Sequence, residues 1–141
     1  MKQFAYVLLF FLAGTSCAQE KFILCGNGGG ITGSATVYKI TSKGKVFRGQ
    51  GITEINYSER GKIKRALAEK FIQETIDQLK ANPEFNHPGN MYSFISLVEG
   101  EQEKKITWGD ANFRAPEQTE KVFQEIKSSV SKVRFKPLKK K

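Results

Sequence analysis

Histidine is almost missing from this chain: His87 stands alone among 141 residues. A single imidazole cannot assemble the usual zinc ligand sets without cysteines or a carboxylate cluster nearby. It also leaves a Ser-His-Asp relay with one candidate base, held in the turn-like segment Asn86-His87-Pro88-Gly89. Cysteine is nearly as scarce, with only Cys17 and Cys25. A disulfide framework is therefore excluded as the basis of the fold. No apolar run reaches the roughly 20 residues that a membrane helix needs. Internal repeats and low-complexity segments are lacking, apart from a basic C-terminal end.

What the chain does have begins at its N-terminus. Lys2 is followed by Phe4 to Ala13 (FAYVLLFFLA), which carries no charge, and then by small residues ending Ser16-Cys17-Ala18. A positive start, an apolar stretch of roughly 7–15 residues and a small-residue exit compose a secretory signal peptide. Residues 1–18 are read as that leader, with cleavage after Ala18 leaving Gln19 as the first residue. The protein is then exported, to the periplasm or beyond the cell. In an alternative processing, Cys17 becomes the lipidated first residue of an outer-membrane lipoprotein. Simple cleavage removes Cys17 and leaves Cys25 as a single thiol. Its neighbours Phe22-Ile23-Leu24 mark it as a small buried hydrophobe.

The formal charge of +9 is unevenly placed. Lys132, Arg134, Lys136, Lys139, Lys140 and Lys141 bring six positives into the last ten residues, where there is no acid. Residues 19–131 are nearly balanced, with sixteen Lys/Arg against fourteen Asp/Glu. The basicity thus belongs to a C-terminal tail, 132–141, attached to one globular domain, 19–131. Export sets nucleic acid aside as a partner. Anionic envelope components are the natural targets of such a tail.

The hydrophobic pattern predicts strands over Phe22–Cys25, Ser34–Thr41 and Val46–Tyr57, the last interrupted by Gly49 and Gly51 as at a bulge or bend. From Ser58, a candidate N-cap, apolar residues recur with helical spacing through Ile63, Leu67, Phe71 and Leu79, until Asn82-Pro83 stops the helix. Met91–Val98 and Glu103–Trp108 form a hairpin. Pro116 opens a second helix whose stripe is Val122, Phe123, Ile126, Val130 and Val133. The expected fold is α+β: a four- to five-stranded antiparallel sheet with two helices packed on one face.

Three short segments invite chemistry. Gly28-Gly29-Gly30-Ile31-Thr32-Gly33 satisfies G-x-G-x-x-G, with Glu54 about twenty residues on. A dinucleotide site needs that loop to open a helix, and here a strand follows, so no cofactor is expected. The glycines instead allow positive φ or a close approach, and Gly28, Gly29, Gly30 and Ile31 are candidates for a loop offered to a partner. Glu99, Glu101 and Glu103 read as a solvated hairpin tip. Trp108-Gly109-Asp110 reads as core packing followed by an aspartate turn, with Trp108 and Asp110 as further partner-binding candidates, since tryptophan often dominates interfaces.

The set Gly28-Gly29-Gly30-Ile31-Thr32-Gly33, Tyr38-Lys39-Ile40, Pro88-Gly89-Asn90-Met91-Tyr92 and Trp108-Gly109-Asp110 resembles a group of small exported bacterial α+β domains. A shorter likeness, through Gly29-Gly30-Ile31-Thr32-Gly33 and the order of elements, is to emfourin, an inhibitor of thermolysin-type metallopeptidases. That resemblance implies an inhibitory role. The expectation is an exported, non-catalytic binding module without metal or cofactor, its partner a protein. The alternative is an envelope-associated structural protein held to anionic surfaces by its lysine-rich end.

Overall fold

The computed structural model describes residues 19–139. The leader, Cys17, Lys140 and Lys141 lie outside the described residues. Within the described residues eight strands and two helices follow one another. They are β1 (Lys21–Gly29), β2 (Ala35–Thr41), β3 (Lys45–Gly51), β4 (Asn56–Lys62), α1 (Arg65–Ala81), β5 (Asn86–His87), β6 (Met91–Glu99), β7 (Gln102–Trp108), α2 (Glu117–Ser131) and β8 (Lys136–Pro137). All eight strands join one sheet in the order β5-β7-β6-β1-β2-β3-β4-β8. Every pairing is antiparallel except the short β5–β7 pair.

The α+β class is as expected, but four to five strands is too few. Two of the additional strands, β5 and β8, are two residues long and carry no hydrophobic periodicity that could announce them. The third arises because Val46–Tyr57 is not one arm. It turns at Ile52–Ile55 into the separate strand β4. Ser58 therefore sits in a strand and caps no helix. It is the extra residue of a bulge, since Arg48 pairs Glu59 and Gly49 pairs Tyr57. Hydrogen bonding to β3 holds Ser58–Lys62 extended, and Ile63 N–H donates to the Gly44 carbonyl at 2.9 Å before α1 begins.

β1 also runs further than its composition suggests. Glycine is a poor strand former, yet Gly26 to Gly28 keep the ladder with β2 and β6 on both sides, and Gly29 continues it with β6. Hydrogen bonds on both edges outweigh the entropic cost of the glycines. Tyr92 lies across Gly28, where any Cβ would meet its hydroxyl oxygen at 2.5 Å.

Both helices cover one face of the sheet. Ile23, Cys25, Ile40, Val46, Ile95, Leu97, Ile106 and Trp108 from the strands meet Ala68, Phe71, Ile72 and Leu79 of α1 and Val122, Phe123, Ile126 and Val130 of α2 in a single core. These are the predicted helical stripes, placed where the 3.6-residue period requires. Val133 lies beyond the end of α2 and packs on Gly61 instead. Among the described residues the opposite face carries no helix. A smaller cluster there, Ala35, Val37 and Phe94 with Leu24, Ile55 and Tyr92, closes over itself. No helix among the described residues is long and apolar enough to cross a membrane.

Candidate functional site

Strand register gathers the glycine segment, the Pro88-Gly89-Asn90 segment and the Trp108-Gly109-Asp110 corner at one end of the sheet. Gly29 pairs Met91, Gly28 pairs Ala35, Ala35 pairs Gly51, and Ser93 pairs Trp108. Three stretches far apart in sequence are thus neighbours in space.

The backbones interlock there. Gly30 N–H donates to the Asn90 carbonyl at 2.9 Å, and Asp110 N–H donates to the His87 carbonyl at 3.0 Å. A side chain on Gly29 would strike the Asn90 carbonyl, one on Gly89 the Gly109 carbonyl, and one on Gly109 the Met91 carbonyl. Close backbone approach is what these glycines permit. Asp110 makes the expected turn, its Oδ1 accepting from Asn112 N–H at 2.9 Å. Phe113 then folds back and stacks on His87 with ring centroids 3.7 Å apart, while Phe85 meets the same imidazole edge-on at 4.8 Å. His87 is therefore a filling between two phenyl rings.

The turn after β1 spans Gly30 to Ser34 and leads directly into β2. No helix N-terminus follows it, so the anion-binding geometry of a dinucleotide loop is not built at this position. Among the described residues no three His, Cys, Asp or Glu side chains gather as a metal-binding group. Glu99 pairs with Lys21 at 2.8 Å and Glu103 lies 3.6 Å from Lys105, both at the surface.

The expected partner-binding residues divide sharply. Ile31 is fully exposed at the tip of the glycine turn. Gly28 is buried within β1, and Gly29 and Gly30 are half-buried. Trp108 is 8% exposed and packs edge-on against Phe123, with centroids 5.1 Å apart. Its indole belongs to the core, and Asp110 beside it is half-buried. The apolar surface at this end consists of Ile31, Ile52, Met91 and Phe113, which are 108%, 72%, 61% and 46% exposed. These four are the large exposed hydrophobics of the described residues, and all four lie on this end. They follow the edge of the sheet from the loop after β7 to the β3–β4 turn, six adjacent strands, or about 24 Å.

Ile52, Met91 and Phe113 were missed in the sequence. Ile52 had a signal, because an isoleucine within the turn-rich segment Gly51-Ile52-Thr53-Glu54 repeats the setting of Ile31. Met91 and Phe113 had none, since exposure at a strand start and in a loop is decided by tertiary placement.

Cys25 is fully buried and free, and desolvation pushes its thiol up to about 12 against the opposing charge of Lys127. It is inert at neutral pH. At the other end of the chain, Lys132 and Arg134 follow α2, and Lys136 belongs to β8, which pairs with β4. Leu138 N–H donates to the Ser58 carbonyl at 2.8 Å. The segment expected as a tail from Lys132 onward is attached to the sheet up to Leu138, and Lys139 follows as an exposed residue. No family model matches the sequence, and no curated protein matches it significantly.

Proposed function

We propose that the protein is an exported, non-catalytic binding module that engages a partner protein through the loop end of its sheet. One observation carries this reading: Ile31, Ile52, Met91 and Phe113 all project at that end, Met91 from the first residue of β6 and the others from turns, with the Gly30–Asn90 and Asp110–His87 backbone hydrogen bonds holding the segments beside Ile31, Met91 and Phe113. Single exposed hydrophobics are ordinary, but several gathered along one edge mark an interaction surface. Burying each in a partner contributes about 1.5–3 kcal/mol. Association itself costs about 4–15 kcal/mol, so the four anchors need support from the polar groups of the turns. A rigid display lowers that cost, because little is left to order on binding. A peptidase is the partner class suggested by the likeness of the glycine segment to emfourin.

The test compares wild type with a variant carrying Ile31→Ser, Ile52→Ser, Met91→Ser and Phe113→Ser. Wild-type protein should slow a thermolysin-type peptidase and retain a defined protein from the envelope fraction, and the variant should do neither. Retention that survives all four substitutions would reject the loop end as the binding surface.

A further inference from the structure

The sheet face opposite the helices carries a basic recess at the β3–β4–β8 edge. Its cavity, about 630 Å³, is lined by Lys45, Phe47, Arg60, Gly61, Lys62, Arg134 and Lys136. Five of these seven are cations and none is an acid. The volume lies within the roughly 300–1,000 Å³ of small-ligand sites.

The arrangement follows from strand period. Lys45 and Phe47 on β3 share a face with Arg60 and Lys62 on β4, because Lys45 pairs Lys62 and Phe47 pairs Arg60. Arg60 in turn pairs Lys136 of β8. Like charges directly opposite on antiparallel strands repel and destabilise the pairing. Here there are two such pairs, Lys45–Lys62 and Arg60–Lys136, side by side. Among the described residues none of the five cations has a carboxylate within salt-bridge distance. The nearest acid in sequence, Glu59, is already held by Arg48. Lys39, opposite Phe47 on β2, adds a further positive charge beside the recess.

The C-terminal segment is fastened so that its cations stay in place. Gly61 lacks a side chain, and Val133 Cγ1 occupies the space where a Cβ would stand. Phe135 packs on Tyr38, with centroids 6.1 Å apart, and under the Arg48 guanidinium at 4.7 Å. Arg134, just before β8, and Lys136 within it are thereby presented from a segment held to the sheet.

We infer that this recess binds a small ligand bearing several clustered phosphate groups. Two arginines supply forked donors suited to phosphate oxygens, and three lysines add point charges around them. A single monovalent anion would leave most of the repulsion unrelieved. A multiply charged one relieves both opposed pairs at once. Such phosphates come either as a soluble polyphosphate or as the headgroup of an anionic lipid. The site shares no residue with the loop-end surface of Ile31, Ile52, Met91 and Phe113.

Inorganic tripolyphosphate is the probe, titrated calorimetrically into the full chain, with melting followed in parallel. Binding at one site and a raised melting temperature are expected. Arg60→Gln with Lys136→Gln should weaken the affinity by roughly tenfold or more, the scale of one lost charge-assisted hydrogen bond or more. These variants remove the like-charge pair, so their own melting temperature should not fall below wild type. Vesicles of phosphatidylcholine doped with cardiolipin distinguish the sources: vesicle binding displaced by tripolyphosphate assigns the headgroup, and no vesicle binding assigns the soluble form. Absence of tripolyphosphate binding would overturn the inference. So would binding unchanged in the double variant, or binding lost only on deleting Lys139, Lys140 and Lys141.

Discussion

Gly109 and Gly33 offer a matched test of whether the loop end is held by backbone interlock. Both have positive φ, +150° at Gly109 and +64° at Gly33. A Cβ at Gly33 would meet nothing within 4 Å. Gly33→Ala should therefore cost only its conformational strain, about 1 kcal/mol. At Gly109 the φ value belongs to a region that side chains avoid, at about 1–3 kcal/mol. The added Cβ would also collide with the Met91 carbonyl oxygen, and would stand 2.9 Å from Tyr92 Cα and 3.0 Å from Gly89 N. All three are backbone atoms of the neighbouring segment, so the chain must move, and such overpacking adds about 1–3 kcal/mol. Gly109→Ala should thus cost about 4 kcal/mol, a large share of the roughly 5–15 kcal/mol that holds a domain together. For a folded body of this length that is roughly 4 °C per kcal/mol, or about 16 °C in Tm. Urea unfolding followed by Trp108 fluorescence measures both variants, since Trp108 immediately precedes Gly109 and is buried. Equal losses for the two substitutions would refute the interlock, because only one of them places an atom where backbone already stands.

Other consequences concern the core and the leader. Cys25 has a folded thiol raised to about 12 against 9.0 for the free group. The unfolded chain therefore releases its proton first as pH rises. Stability from this group is full below pH 9.0 and declines through the window up to about 12, by about 1.4 kcal/mol per pH unit. Comparing alkaline urea unfolding of wild type and Cys25→Ala should show the shallower pH dependence in the variant, and parallel curves would contradict the desolvation argument. Trp108→Ala should cost about 3–5 kcal/mol as a core truncation, whereas Ile31→Ser should stay within about 0.5 kcal/mol. Thermal melts of the two that coincide would show Trp108 to be dispensable to packing. Mass spectrometry of protein recovered from its host should give a chain beginning at Gln19. A lipidated Cys17 would instead place the protein on a membrane.

The helices and the central strands were legible because burial imposes a period. The α1 stripe through Phe71 and Leu79 and the α2 stripe through Val122, Phe123, Ile126 and Val130 repeat every three to four residues, and all of them reach the core. Met91–Val98 reads as a central strand for the same reason, having β1 on one side and β7 on the other. The strand β4 was illegible because Ser58-Glu59-Arg60-Gly61-Lys62 contains no large apolar residue. Its hydrogen bonds to β3 and β8 hold it, and hydrogen bonding leaves no mark on hydropathy. The same blindness hid the basic recess. Lys45, Arg60 and Lys62 look like scattered solvated charges, and Arg134 and Lys136 look like part of a tail. Only the register of β3, β4 and β8 shows them to be one cluster, and that register rests on Gly61 making room for Val133. A side chain at position 61 would therefore undo more than local packing. Gly61→Leu should displace the C-terminal strand and take two of the five cations away with it. The charge of the chain would be unchanged, so a loss of phosphate affinity in that variant would come from geometry alone.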